Sequence, residues 1–219
     1  MPLFFLDETT TFPPVNTAEP DGLLAIGGDL SQERLLNAYR SGIFPWYDEG
    51  PILWWSPDPR FVLFPENLKI SKSMRPVLNQ ERFRFSINTA FPAVIEQCGL
   101  IKRPFQESTW INEDMTDAYI QLHKNGYAYS AEAWSNDQLV GGLYGILLGK
   151  VFFGESMFSI QPNSSKFAFI KWVQFLQSRG VVLIDCQVYT EHLESLGAQM
   201  IPREKFLSLL SENIPEPGH

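Results

Sequence analysis

Side chains that could hold a metal ion or attack a substrate covalently are scarce in this 219-residue chain. There are two cysteines, Cys98 and Cys186, and three histidines, His123, His192 and His219. Two cysteines give neither a disulfide framework nor zinc-ligand spacing, so a reducing, cytoplasmic setting is the default expectation. There is no GxSxG elbow, no Walker loop and no metal-ligand cluster. Covalent serine or cysteine catalysis is therefore not expected, and neither is a metal or another cofactor. No apolar run approaches the ~20 residues of a membrane span. The opening stretch, "MPLFFLDETTTFPP", lacks a basic region and meets Asp7 and Glu8 early, unlike a signal peptide. Cations are also outnumbered: the formal net charge is −8, which argues against blanket nucleic-acid binding.

Apolar and aromatic residues are plentiful. Hydrophobic residues make up 44% of the chain, with six Trp and seventeen Phe, enough for a globular core. The first 60 residues are rich in Pro, Gly and Trp. They contain one clear helix, with Ser31 as its cap, Leu35, Leu36 and Tyr39 as an apolar stripe and Gly42 as its stop. From residue 61 the pattern is regular. "RFVLF" and "RFRFSIN" read as strands, and Thr89 is placed to cap a helix that stops near Gly99. A second helix, 112–124, carries Met115, Ala118, Tyr119 and Leu122 at helical spacing. Three strands follow, "AYSAEAW", "QLVGGLYGILL" and "KVFFGES", turning at Asn136-Asp137 and Gly149. A helix over 164–179, capped near Asn163, leads to the apolar strand "VVLIDCQ". A short helix, "EHLESL", a strand and the helix "REKFLSLL" close the chain. The expected architecture is α+β: a small aromatic-rich domain, 1–60, and a catalytic domain, 61–219. The element order of the second is that of the GCN5-related N-acetyltransferase fold.

The strand–helix–strand crossover through 164–179 makes strands 150–155 and 181–187 parallel neighbours. Their carboxyl ends then lie side by side, where ligands bind in open α/β sheets. One end carries Glu155, at what reads as the limit of an apolar strand. The other carries Asp185 and Gln187, which are two apart and so share a face, with Cys186 turned into the core. Read alone, Asp185 would more often cap a helix or pair with Arg179 or Lys166. Three polar groups converging on one crevice favour a reaction centre instead. His192 reads as structural. Residues 69–84 contain Lys69, Lys72, Arg75, Arg82 and Arg84 against Glu81 alone. Such an island on an acidic protein is either a phosphate site or an ordinary solvated face.

"GLLAIGGDLS", "GIFPWY", "ILWWSPDPR", "STWI", "LVGGLYG", "FFGESMFS", "SSK", "LIDCQ" and "HLESLGA", followed by "IPREKFL", resemble the leucyl/phenylalanyl-tRNA–protein transferase family over roughly residues 20–210. The resemblance implies transfer of Leu or Phe from aminoacyl-tRNA to the α-amine of proteins beginning with Arg or Lys. The product would be a bacterial N-degron, made by direct aminolysis without a covalent enzyme intermediate. It implies that Glu155, Asp185 and Gln187 form the reaction centre. It also implies that Trp46, Trp110, Leu143, Phe152 and Met157 shape the pocket for the amino-acid side chain, and that the basic island holds the tRNA acceptor arm. On this reading Gln187, polarised by Asp185, holds the attacking amine, Glu155 supports the network, and loss of Asp185 leaves the fold standing.

Two rivals follow from the fold and the charge. An acetyl-CoA-dependent enzyme would carry a Q/R-x-x-G-x-G/A loop before the crossover helix, where this chain has "SMFSIQPNSSK", without the glycines. A non-catalytic tRNA- or peptide-binding module would bind tRNA and transfer nothing.

Overall fold

The computed structural model describes residues 4–9, 11–48, 50–80, 82–100 and 111–215. Its elements, in chain order, are β1 (Phe4–Leu6), β2 (Leu23–Gly27), α1 (Gln32–Arg40), β3 (Phe44–Pro45) and β4 (Leu53–Trp55), followed by β5 (Arg60–Leu63), α2 (Met74–Asn79) and β6 (Arg84–Ile87). Then come α3 (Phe91–Leu100), α4 (Glu113–Lys124), β7 (Ala128–Ser135), β8 (Gln138–Leu148), β9 (Val151–Ser159), α5 (Ser164–Ser178), β10 (Leu183–Gln187), α6 (Glu191–Ser195), β11 (Gln199–Ile201) and α7 (Arg203–Asn213).

The strands form two sheets. A four-stranded sheet, β1-β2-β4-β3, is confined to the first 55 residues, and a seven-stranded sheet, β11-β5-β10-β9-β8-β7-β6, takes the rest. In the larger sheet only β9 and β10 run parallel, as the α5 crossover requires; every other pairing is antiparallel. The architecture is mixed α+β. It is an antiparallel meander that ends in one parallel pair, the arrangement expected for the GCN5-related fold.

Each face of the large sheet has its own core. α1, α3 and α4 cover one face, with Leu35, Tyr39, Phe91 and Tyr119 buried against Val151 and Phe153. α2 and α5 cover the other, with Phe167, Trp172 and Val173 packed against Phe152 and Ile184. Strand alternation explains the split, since successive residues of β9 point to opposite faces. The first core also takes Leu24, Ala25 and Trp54 from the small sheet, so apolar burial continues across both sheets.

Three local expectations are corrected. Thr89 does not cap α3 with its hydroxyl, which donates to Ile87 O; the N–H groups of Thr89 and Ala90 are instead met by the buried carboxylate of Glu132. Asn163 does not cap α5 with its side chain: its backbone is left-handed, at φ 70°, and the Ser164 hydroxyl lies within reach of Val140 O at 2.7 Å and Gln161 O at 2.8 Å. Finally, β9 does not stop at Glu155–Ser156 but runs on to Ser159, because β8 extends the ladder to Gly141.

Candidate active site

The site lies where β9 and β10 part. They pair as far as Asp185 and Phe153, and no further. Both strands are bulged at this point. On β9, Tyr144 faces Ser156 and Gly145 faces Gly154, which leaves Glu155 as the extra residue. On β10, Asp185 faces Val62 and Gln187 faces Phe61, which leaves Cys186 over. Bulges bend a strand and re-aim its side chains. The Glu155 bulge also reverses the alternation. Phe152 and Met157, five apart and nominally on opposite faces, both pack into the second core beside Leu143, while Phe153 and Phe158 share the first. Glu155 itself is directed toward α1 and α4.

The parted strands open a cavity of about 680 Å³. The side chains of Leu143, Phe152, Met157, Phe169 and Ile184 give it an apolar wall, and Trp46 contributes from the small-sheet side. Four of the five residues expected to shape a side-chain pocket therefore line one cavity. The fifth, Trp110, lies outside the described residues. Glu155, Asp185 and Gln187 line the same cavity. Its size suits an apolar side chain plus the reacting groups.

Glu155 is buried, at 8% exposure, and its carboxylate is held from two sides. Tyr39 Oη donates to Oε1 at 2.8 Å and Tyr119 Oη to Oε2 at 3.1 Å, while the two phenols also contact each other. Gln187 Nε2 donates to Oε1 at 3.1 Å. Burial pushes the carboxyl up to about 7; the phenol hydrogen bonds oppose that shift and the nearby Asp185 charge adds to it. Burial and the Glu155 charge hold both phenols well above their ordinary range.

Asp185 has a different environment. It does not pair with Arg179 or Lys166. Arg60 on β5 grips it bidentately, Nε to Oδ1 at 2.8 Å and Nη2 to Oδ2 at 2.7 Å, with both side chains buried. The guanidinium is sandwiched 4.7 Å from the rings of Phe44 and Phe206, and Nη1 donates to Gly42 O. Asp185 Oδ1 also accepts the backbone N–H of Gln187 at 2.9 Å. Gln187 needs that support, because its backbone is left-handed at φ 63°, a strained state for a residue with a Cβ. Asp185 thus engages Gln187 through the backbone, whereas the Gln187 amide engages Glu155. Cys186, expected to turn into the core, packs against the second core but also lines the cavity, because as the extra residue of the bulge it does not follow the alternation; burial pushes its thiol up, away from reactivity.

Among the histidines, His123 stacks on Phe91 and has Nδ1 2.8 Å from Ala128 O, a packing role. His192 lines the cavity; burial, then the Lys166 charge, lowers its pKa. No group of three or more possible metal ligands occurs among the described residues. No helix among them is long and apolar enough to cross a membrane.

Lys69, Lys72, Arg75, Arg82 and Arg84 are all exposed. The island adjoins one wall of the cavity: Lys69 N–H donates to Leu196 O just after α6, whose His192 and Leu193 are lining residues. Arg84 sits over Trp134 and reaches Asp137 at 3.7 Å; both partners of that ion pair are solvated and leave the charge available.

A buried carboxylate and an amide meet at the split of a parallel strand pair, beside an apolar cavity at the carboxyl ends of the strands, where ligands bind in open α/β sheets. The leucyl/phenylalanyl-tRNA protein transferase profile matches residues 62–211, and the profile of that family's N-terminal domain matches residues 28–58. The chain is 58% identical to the leucyl/phenylalanyl-tRNA–protein transferase of Christiangramia forsetii, over 95% of this chain and 100% of that protein. It is 56% identical to that of Syntrophobacter fumaroxidans, over 100% and 94%. A solved structure with some likeness is a GCN5-related N-acetyltransferase from Kribbella flavida, at TM-score 0.39 and 10% identity, covering 75% of this chain and 58% of that one. The chain belongs to the leucyl/phenylalanyl-tRNA protein transferase family and is an aminoacyltransferase.

Proposed function

We propose that the protein transfers Leu or Phe from aminoacyl-tRNA to the α-amine of cytoplasmic proteins beginning with Arg or Lys, producing an N-degron. The observation that carries this reading is the cavity, in which an apolar wall for the donor side chain meets the Glu155–Gln187 pair. Aminolysis of an ester is downhill, so proximity and orientation supply much of the rate. Gln187, anchored to Glu155 through Nε2, keeps Oε1 to accept from the incoming amine. Asp185 and Arg60 hold the strained backbone that aims this amide. The Arg60 charge offsets that of Asp185, so attraction for a cationic N-terminal residue falls to Glu155 and to the exposed Glu191 and Glu194 on α6. Mass spectrometry of an Arg-initiated protein after incubation with Leu-tRNA reads the product directly. One leucyl residue is added at a free N-terminus and none at an acetylated one. Tight calorimetric binding of acetyl-CoA, without such addition, would favour the acetyltransferase rival.

On the donor side, Leu143 and Phe152 set the pocket's shape, with Phe152 edge-on against Trp172 at 5.2 Å between ring centroids. Leu143→Ala and Phe152→Leu enlarge it. Activity on Leu-tRNA is expected to fall as contact is lost, at about 25 cal/mol per Å², while activity on the bulkier Trp-tRNA falls less or rises. The ratio of the two kcat/KM values cancels general damage. Equal losses on both donors would remove these residues from the pocket.

Charge reversal of the five cations is expected to raise KM for aminoacyl-tRNA. It should also flatten its salt dependence by about one unit of log–log slope per lost phosphate contact. An aminoacyl-adenosine, which lacks the acceptor arm, should be used equally by both proteins. If the small donor suffers as much as whole tRNA, the island is structural.

A further inference from the structure

Tyr39, Tyr119 and Glu155 form a closed triangle of three oxygen contacts: phenol to phenol, Tyr39 Oη to Oε1 and Tyr119 Oη to Oε2. The number of protons available for those contacts is decisive. With Glu155 ionised, the two phenols supply two protons for three contacts, and one contact sets lone pair against lone pair. A third proton, on one carboxyl oxygen, gives each of the three contacts its own proton: each phenol and the carboxyl group as a whole then donates once and accepts once. The triangle thus has a place for one more proton than the ionised carboxylate brings, with burial favouring that proton and the phenols opposing it, and it lies on the cavity wall beside Gln187.

We propose that Tyr39, Tyr119 and Glu155 are a one-proton store that takes the proton of the acceptor's α-ammonium group, with the two tyrosines as positioning residues for the carboxylate. This rests on the transferase reading. The steps balance as follows. The α-ammonium gives one proton to the Glu155 carboxylate and becomes a neutral amine. Its nitrogen attacks the ester carbonyl, and the C–N bond forms. The tetrahedral centre then breaks its bond to the ribose oxygen. Of the two protons the nitrogen loses overall, one ends on that oxygen. The other passes from Glu155 to solvent and resets the site.

The groups facing Glu155 are Tyr39 on α1, Tyr119 on α4, Arg60 on β5, and Asp185 and Gln187 on β10; Tyr144 on β8 packs edge-on against Tyr119, and it and His192 of α6 line the same cavity. Arg60 and Asp185 neutralise each other, which leaves the store without a strong net field.

The test is the pH profile of kcat/KM, with leucyl-adenosine as donor and an Arg-initiated peptide as acceptor. The wild type is expected to give a bell. It rises through about 7 as Glu155 ionises and falls above about 8 as the ammonium is lost. Each phenol favours the ionised carboxylate, so Tyr39→Phe and Tyr119→Phe should each move the rising limb up by about one unit. The deficit relative to wild type is then about fivefold larger at pH 6 than at pH 8. Glu155→Gln should lose the rising limb. Limbs that coincide in wild type and both Phe variants, or a limb at 7 that survives Glu155→Gln, would overturn the store. So would a wild-type profile that rises only near 8 and then levels.

Unfolding reads the same group without catalysis. A carboxyl raised by folding contributes stability that is full below its ordinary range and lost as pH rises through its folded value. Wild-type Tm should therefore fall relative to Glu155→Gln between pH 5 and pH 8. If no protein transfers Leu to any acceptor, the transferase reading fails, and this Tm difference still decides the store. A Tm difference that does not change with pH would overturn it.

Discussion

Asp185→Ala is expected to destabilise the protein by about 3–5 kcal/mol, because it leaves the Arg60 guanidinium buried and uncompensated between Phe44 and Phe206. The Gln187 N–H loses its acceptor in the same step. Chemical denaturation with transfer measured in parallel checks this: the midpoint falls, and transfer is lost even where the variant is still folded, because the strained Gln187 backbone is no longer held. The paired replacement Arg60→Met with Asp185→Leu removes both charges together. It should recover most of the stability, since burying two charges costs about as much as their attraction returns. It should not recover transfer. A stable single variant with near-wild-type single-turnover rate would show that Asp185 neither braces the fold nor positions Gln187.

Gln187 separates the two effects in the other direction. Its left-handed backbone suits glycine, so Gln187→Gly relieves strain of roughly 1 kcal/mol at the cost of a more flexible unfolded chain. The variant is expected to be about as stable as wild type. The amide proposed to meet the amine is gone, however, and loss of one well-placed hydrogen-bonding group at a reacting centre typically costs ~10²–10³ in kcat. Gln187→Ala should lose activity to the same extent and be less stable, because it keeps a Cβ in the strained conformation. If Gln187→Gly transferred Leu at the wild-type rate, the amide would serve only to fill the bulge.

How far the sequence reached differs between the frame and the site. The meander, the crossover helix and the parallel pair were legible because hydrophobic periodicity and turn residues act locally; Asn136 and Asp137 both take the left-handed backbone of a tight hairpin. The grouping of Glu155 and Gln187 was legible too, since it follows from topology alone. What was not legible acts over long separations. Arg60 reads as one residue of a short strand, yet it pairs with a residue 125 positions away. Tyr39 and Tyr119 fit the apolar stripes of their helices. They are indeed fully buried, but a periodicity argument cannot show that their hydroxyls meet a carboxylate from another element. The length of β9 was misread because a carboxylate and a serine inside an apolar run look like an ending. The bulge at Glu155 lets the strand continue while turning that one side chain to the site.

The proposed reaction is direct transfer from aminoacyl-tRNA to a selected N-terminus in the cavity between β9 and β10. Single-turnover transfer of labelled Leu from Leu-tRNA, to two proteins that differ only in beginning with Arg or with Met, tests it most directly. Label is expected on the Arg-initiated protein, none above background on the Met-initiated one, and none held covalently on the enzyme at any time. Label on the enzyme before the acceptor, or equal labelling of both acceptors, would contradict it.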